Sequence, residues 1–209
     1  MKYLLLTILC LSIASNACEK AMDPSRITSA GGSVTEIIYF LNSQDSLVAV
    51  DVTSNFPPEA RDLPSIGYVR QLSAEGVLSL DPTIIIGEDD MGPPSVMEQI
   101  KRTNVEIKII PENHSIEGII EKVKCVSNII GKDSNELINK FLSPKIKRLQ
   151  TLADSEKKKK IIYILGMQSG SPLIAGKNTS GNGLINISGG VNPLASFDGW
   201  KPVGTESII

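Results

Sequence analysis

Histidine is nearly missing from this chain: His114 is the only one in 209 residues. Without a second imidazole there is no H-E-x-x-H metal motif, and a His-based triad lacks its companions, since no G-x-S-x-G turn occurs either. Cysteine is scarce as well. Cys10, Cys18 and Cys125 are too few for a thiolate zinc site or a multi-bridge disulfide scaffold. Aromatic residues make up 4% of the chain, little material for a base-stacking platform. There is no surplus of positive charge: 21 Lys and Arg stand against 23 Asp and Glu, a formal net charge of -2. Nucleic-acid binding needs that surplus, so no nucleic-acid partner is expected. What remains is 41% hydrophobic, enough for a sizeable core, with no catalytic set. The expectation is a binding protein, not an enzyme.

The N-terminus reads as an address. Lys2 is followed by an apolar run from Leu4 to Ile13 and by Ala14-Ser15-Asn16-Ala17-Cys18. One positive charge, an apolar stretch and small residues at the exit form a secretory signal over residues 1–17. The run falls short of the about 20 residues that span a bilayer. A cysteine at the new N-terminus raises a lipid anchor at Cys18, but Ser15 stands where lipoprotein signals usually carry Leu, which favours free export. A Cys18–Cys125 disulfide is not expected, and Cys125 reads as a small core residue of a helix.

Along the mature chain, Ile27 to Ala30 is a strand broken by Gly31-Gly32. Ser33-Val34-Thr35-Glu36 has capping-box spacing at the start of a helix. Leu47 to Val52 is a second strand. Ser73 caps a helix to Leu78, and Thr83 to Ile86 is a continuous apolar run of the kind buried in a parallel sheet. Ser95–Arg102 reads as a helix, Val105–Ile110 as a strand and Ile116–Ile130 as a helix. This alternation predicts a doubly wound α/β lobe over 18–132. Residues 133–159 carry an apolar stripe at helical spacing, interrupted by Pro144 with Ser143 as a second cap, and predict a linking helix. The strand pattern then restarts at Ile161. The segment from Tyr68 also has a weak repeat beginning at Trp200, with a similar turn, cap and acidic residue, Glu206. Residues 160–209 are therefore expected to form a partial second lobe.

This layout resembles the substrate-binding proteins of bacterial iron-complex and cobalamin importers, and within them the haemin-binding branch. The likeness rests on Ile27-Thr28-Ser29-Ala30-Gly31-Gly32-Ser33-Val34-Thr35-Glu36, on Val50-Asp51-Val52-Thr53-Ser54, and on Gly67-Tyr68-Val69-Arg70-Gln71-Leu72-Ser73-Ala74-Glu75-Gly76. Gly87-Glu88-Asp89-Asp90-Met91-Gly92 and Pro172-Leu173-Ile174-Ala175-Gly176-Lys177-Asn178-Thr179 also fit. The resemblance implies two doubly wound α/β lobes joined by a long helix, the class III periplasmic binding protein type, with the second lobe truncated. It implies a monomeric haem-binding protein that delivers haem to an inner-membrane ABC permease. A ferric-siderophore or cobalamin binder of the same type is the alternative, as is a non-functional fragment.

The resemblance implies Tyr68 as axial ligand of the haem iron, and the chemistry agrees. Ferric haem is a hard Lewis acid suited to a phenolate oxygen, and a bound cation is what makes phenolate from a group with a pKa of about 10. If the loop is extended, Arg70 lies on the same side, able to pair with a propionate or steady the phenolate. Some relatives use a second-lobe histidine near Gly166-Met167. Here Gln168-Ser169-Gly170-Ser171 offers none. Tyr163 and Met167 read as core, and His114 as a solvated loop residue. The resemblance implies permease docking through an exposed glutamate, Glu36 in the first lobe and Glu206 in the second.

Overall fold

The structure, a computed structural model, describes residues 17–154 and 158–208. The signal segment over 1–16, including Cys10, lies outside the described residues. Four short strands, β1 (Ile27–Ala30), β2 (Leu47–Val50), β3 (Ile84–Gly87) and β4 (Glu106–Ile109), form a parallel sheet in the order β2-β1-β3-β4. The chain leaves β1 for one neighbour, β2, and returns to the other, β3. The carboxyl ends of β1 and β3 therefore flank the point where the winding reverses, the usual place for a ligand crevice in an open α/β sheet.

Helices cover both faces. Ile84 and Ile86 of β3 point to one side, where they meet Val34 and Ile38 of α1 (Gly32–Phe40) and Val123, Val126 and Ile129 of α4 (Ile116–Ile129). Ile85 points to the other side, against Val77 of α2 (Ala74–Leu78) and Met97 and Ile100 of α3 (Pro94–Lys101). A strand buried on both faces accounts for the unbroken apolar run in the sequence. Ser73 and Ser115 cap α2 and α4, their side chains accepting from the Gly76 and Gly118 amides. The segment after Pro57 is a 3-10 turn over Pro58–Asp62.

Three local expectations are corrected. Ser33 caps nothing: α1 begins at Gly32 with Gly31 at the N-cap, so Ser33 and Glu36 form no capping box. Gly31 takes φ +130, and a Cβ on Gly32 would stand 2.9 Å from the Thr53 carbonyl oxygen, so the turn fills the space a side chain would need. Cys125 is not a free core thiol. It forms a disulfide with Cys18, closing a sequence separation of 107 residues and pinning the chain's described start against α4. The sulfur that a lipid anchor would use is thereby spent. Ser143 is likewise no cap. It opens α6 (Ser143–Ala153), which continues from α5 (Asn135–Leu137) through a π-helical turn at Ile138–Leu142, just ahead of Pro144. The extra residue of that turn takes up the missing amide of proline within a continuous linking helix.

Beyond the linking helix, β5 (Ile164–Gln168), β6 (Ser171–Ala175) and β7 (Trp200–Pro202) pair antiparallel in that order, with α7 (Ser180–Ile187) between β6 and β7. Ser169 and Gly170, both at positive φ, make the two-residue turn of the β5–β6 hairpin. Tyr163 precedes β5 instead of sitting within it, and Met167 is exposed instead of core. No described helix is long and apolar enough to cross a membrane.

Candidate functional site

The tyrosine loop is built on the carboxyl end of β2. Ile66 donates its amide to the Val50 carbonyl at 3.0 Å, and the Val52 amide donates to Gly67 at 2.9 Å. Gly67 then turns the chain with φ +87. Val69 and Leu72 are buried pegs in the core beneath, so Tyr68 and Arg70 are left outside. Tyr68 is 41% exposed. The loop is not extended: Val69–Gln71 is a 3-10 turn, closed by the Gln71 amide on the Tyr68 carbonyl at 2.7 Å. Tyr68 and Arg70 nevertheless share one electrostatic neighbourhood. The Arg70 guanidinium is held above its ordinary pKa, chiefly by its hydrogen bond to Asp90 and also by the nearby Tyr68 and Asp89.

The loop after β3 carries the acids. Gly92 clasps the tyrosine loop by two main-chain bonds, donating to Val69 at 2.9 Å and accepting from Leu72 at 2.8 Å. Asp90 accepts from Arg70 Nε at 2.8 Å through Oδ2, while its Oδ1 is buried with no hydrogen-bond partner.

At the reversal point itself, Ser33 donates to Glu88, linking the ends of β1 and β3. Lys122 of α4 sits 2.5 Å from Glu88 Oε1 and 2.5 Å from Glu112 Oε1, and Glu112 Oε2 is 3.5 Å from His114 Nδ1. Lys122, Glu88 and Glu112 are all largely buried, so this chain of charges is a fixed floor and not a solvated fringe. His114 is accordingly corrected from a solvated loop residue to a member of that floor. It also touches the second lobe: a Cβ on Gly183 of α7 would stand 2.4 Å from the His114 carbonyl oxygen.

Behind the floor, buried Asp51 ties the turn after β1 to the end of β2. It accepts from the Gly31 amide (3.0 Å), the Ser54 hydroxyl (2.8 Å), and the Thr53 amide and hydroxyl (3.0 and 2.7 Å). Four donors satisfy both oxygens, which explains a carboxylate at 1% exposure.

Between the lobes a cavity of about 380 Å³ is lined by Arg70, Glu88 and Lys122 from the first lobe and by Thr179, Ser180 and Trp200 from the second. The structure thus keeps Tyr68 in the neighbourhood of Arg70, and it is Arg70 that lines the crevice. Glu36 and Glu206 do not line that cavity. Glu36 is an exposed residue of α1 at the rim of an apolar groove with Phe40, Phe56 and Phe141, and Glu206 is exposed in a 3-10 turn, Thr205–Ser207. Among the described residues, no group of three or more His, Cys, Asp or Glu could hold a metal ion.

Sequence reading missed the Glu88–Lys122–Glu112 floor, Asp51 and Trp200. The winding order was the available signal for the floor, since it puts residues 33, 88 and 112 at adjacent strand ends.

The sequence profile of the family described as periplasmic binding protein matches residues 27–209. A periplasmic haem-binding protein of Vibrio cholerae, HutB, superposes with a TM-score of 0.75 at 33% identity, covering 89% of this chain and 72% of that one. A vitamin B12-binding protein of Vibrio cholerae is 24% identical over 95% of this chain and 72% of its own length. A Bacillus subtilis ABC transporter substrate-binding lipoprotein is 23% identical over 90% of this chain, which spans 61% of that relative's length.

Proposed function

The chain belongs to the periplasmic binding protein family, and we propose that its ligand is ferric haem, captured through the Tyr68 phenol oxygen and passed to an inner-membrane ABC permease. One observation carries the reading: a half-exposed tyrosine stands beside a guanidinium that Asp90 holds in place through Nε. Iron in the macrocycle supplies the positive charge that drives off the phenol proton. Arg70 supplies a second positive charge that meets a propionate. Tyr39 is a poor rival ligand, because burial, Glu59 and Asp62 push its phenol pKa up and so disfavour phenolate.

Among solved structures, the likeness to a haem binder at 33% identity, against 22% for a vitamin B12 binder, favours haem over cobalamin. A ferric siderophore remains the alternative cargo. The role is capture and delivery, with no chemical turnover, and the protein acts as a monomer in the periplasm. With Cys18 spent in the disulfide, the proposed form is freely exported and not lipid-anchored. The exposed carboxylates of Glu36 and Glu206 are the proposed contacts with the permease.

Titration with haemin tests this reading. The full chain is expected to give a shifted Soret band and a phenolate-to-iron charge-transfer band. Tyr68→Phe, which keeps the ring and removes the oxygen, should lose that band and bind much more weakly. An unchanged spectrum and affinity in Tyr68→Phe would show that the ligand is wrong.

A further inference from the structure

We propose that Trp200 is the second-lobe wall of the ligand site, its indole stacking on the macrocycle face opposite the one Tyr68 ligates. The inference deepens the haem reading and rests on it. Trp200 is the only tryptophan in the chain, and it lines the inter-lobe cavity together with Arg70 of the tyrosine loop. Its placement is buttressed from behind. The Tyr163 ring meets it edge to face, with centroids 5.8 Å apart. Gly181 of α7 leaves it room, since a Cβ there would stand 2.8 Å from Trp200 Cη2. The main chain of Trp200 is held by pairing with Ala175 in β6.

The two lobes deliver their rings by the same local device. Gly67 precedes Tyr68 with φ +87, and Gly199 precedes Trp200 with φ +74. The weak repeat in the sequence therefore corresponds to a shared left-handed glycine followed by an aromatic residue. The two rings differ chemically in a way that assigns their roles. A phenol oxygen can ligate ferric iron, whereas the indole N–H is only a donor. No histidine stands in the second-lobe segment from Gly166 to Ser171. The iron is then ligated from one side by Tyr68 and covered on the other by a π face that cannot ligate it. Flat conjugated ligands are held well by an offset aromatic ring.

The test compares the full-length protein with Trp200→Ala, Trp200→Phe and Tyr68→Phe. Haemin affinity, the phenolate band and the rate of imidazole binding to the ferric complex are measured for each. Trp200→Ala should keep the phenolate band, bind haemin about tenfold more weakly, the order expected of one lost aromatic contact, and admit imidazole faster. Trp200→Phe should behave nearly as the parent. Should Trp200→Ala not fold, Trp200→Leu keeps bulk against Gly181 and reads the same loss. Unchanged affinity and imidazole rate in the Ala or Leu variant, beside an altered Tyr68→Phe, would overturn this inference alone. A Tyr68→Phe protein that keeps the parent band would overturn the haem reading and this inference with it.

Discussion

Arg70 and Asp90 lie twenty residues apart in sequence and meet through a 2.8 Å hydrogen bond from Nε to Oδ2. Nε is the inner nitrogen of the guanidinium, so the bond fixes the plane of the fork while its two outer nitrogens remain to serve a ligand. The side chains are 60% and 31% exposed, and pairs so exposed add little to stability. Their joint effect is on direction.

Arg70→Ala is accordingly expected to leave the melting temperature nearly unchanged while weakening haem binding by about 1.5–3 kcal/mol, the range for a hydrogen bond to a charged group. Asp90→Asn should weaken it less. Equilibrium titration beside a thermal melt separates the two effects.

Tyr163→Phe and His114→Ala should leave the haem spectrum in place, because Tyr68 is the proposed iron ligand. Visible absorption of the two ferric complexes checks this. Loss of the phenolate band in either would move the ligand assignment away from Tyr68.

Cys125→Ser removes the cross-link to Cys18. A loop of about a hundred residues loses roughly 4.7 kcal/mol of unfolded-state constraint on the chain-entropy account, with measured losses in small domains of about 2–5. Denaturant unfolding with and without reductant should show the parent, but not the variant, losing stability on reduction. Intact mass of the exported protein should show residues 1–17 removed and both thiols oxidised.

Lys122→Met leaves Glu88 and Glu112 facing one another without their shared cation. A loss of about 2–3 kcal/mol is expected. Lys122→Arg should recover part of it in the same chemical melt.

Asp51→Ala strands four donors around the turn after β1. Each buried donor left unpaired costs about 1–3 kcal/mol, though Thr53 and Ser54 can partly re-pair. Lowered stability should come with weaker haem binding, because Ser33 hangs from the same turn.

The sequence made the first sheet legible because its strands are either unbroken apolar runs, as at Thr83 to Ile86, or bounded by glycine. Ser73 announced α2 for a local reason, a hydroxyl within reach of an amide three residues on. Tyr68 and Arg70 were singled out through the short motif Gly67-Tyr68-Val69-Arg70, and their role in binding rests on the proposed function. What stayed hidden depends on distance along the chain. Lys122 joins Glu88 from 34 residues away, and in one dimension such charges look like solvated faces. Cys18 and Cys125 meet only once α4 is folded against the sheet. The Ser33-to-Glu36 spacing misled for the converse reason: a local pattern was present, but Gly31-Gly32 had already started the helix. The Ser169-Gly170 turn was readable and was passed over, because a restart of parallel strands was expected there.

The Gly92 clasp bears on which insertions this protein can accept. Residues 55–63 run over the surface between β2 and the tyrosine loop, and a longer segment there would add slack without shifting either anchor. The loop from Glu88 to Gly92 has no such freedom. One added residue would slide the Gly92 amide and carbonyl out of step with Val69 and Leu72, and would carry Tyr68 with them. Variation in loop length should thus accumulate before the tyrosine and stop short of the loop that carries the acids.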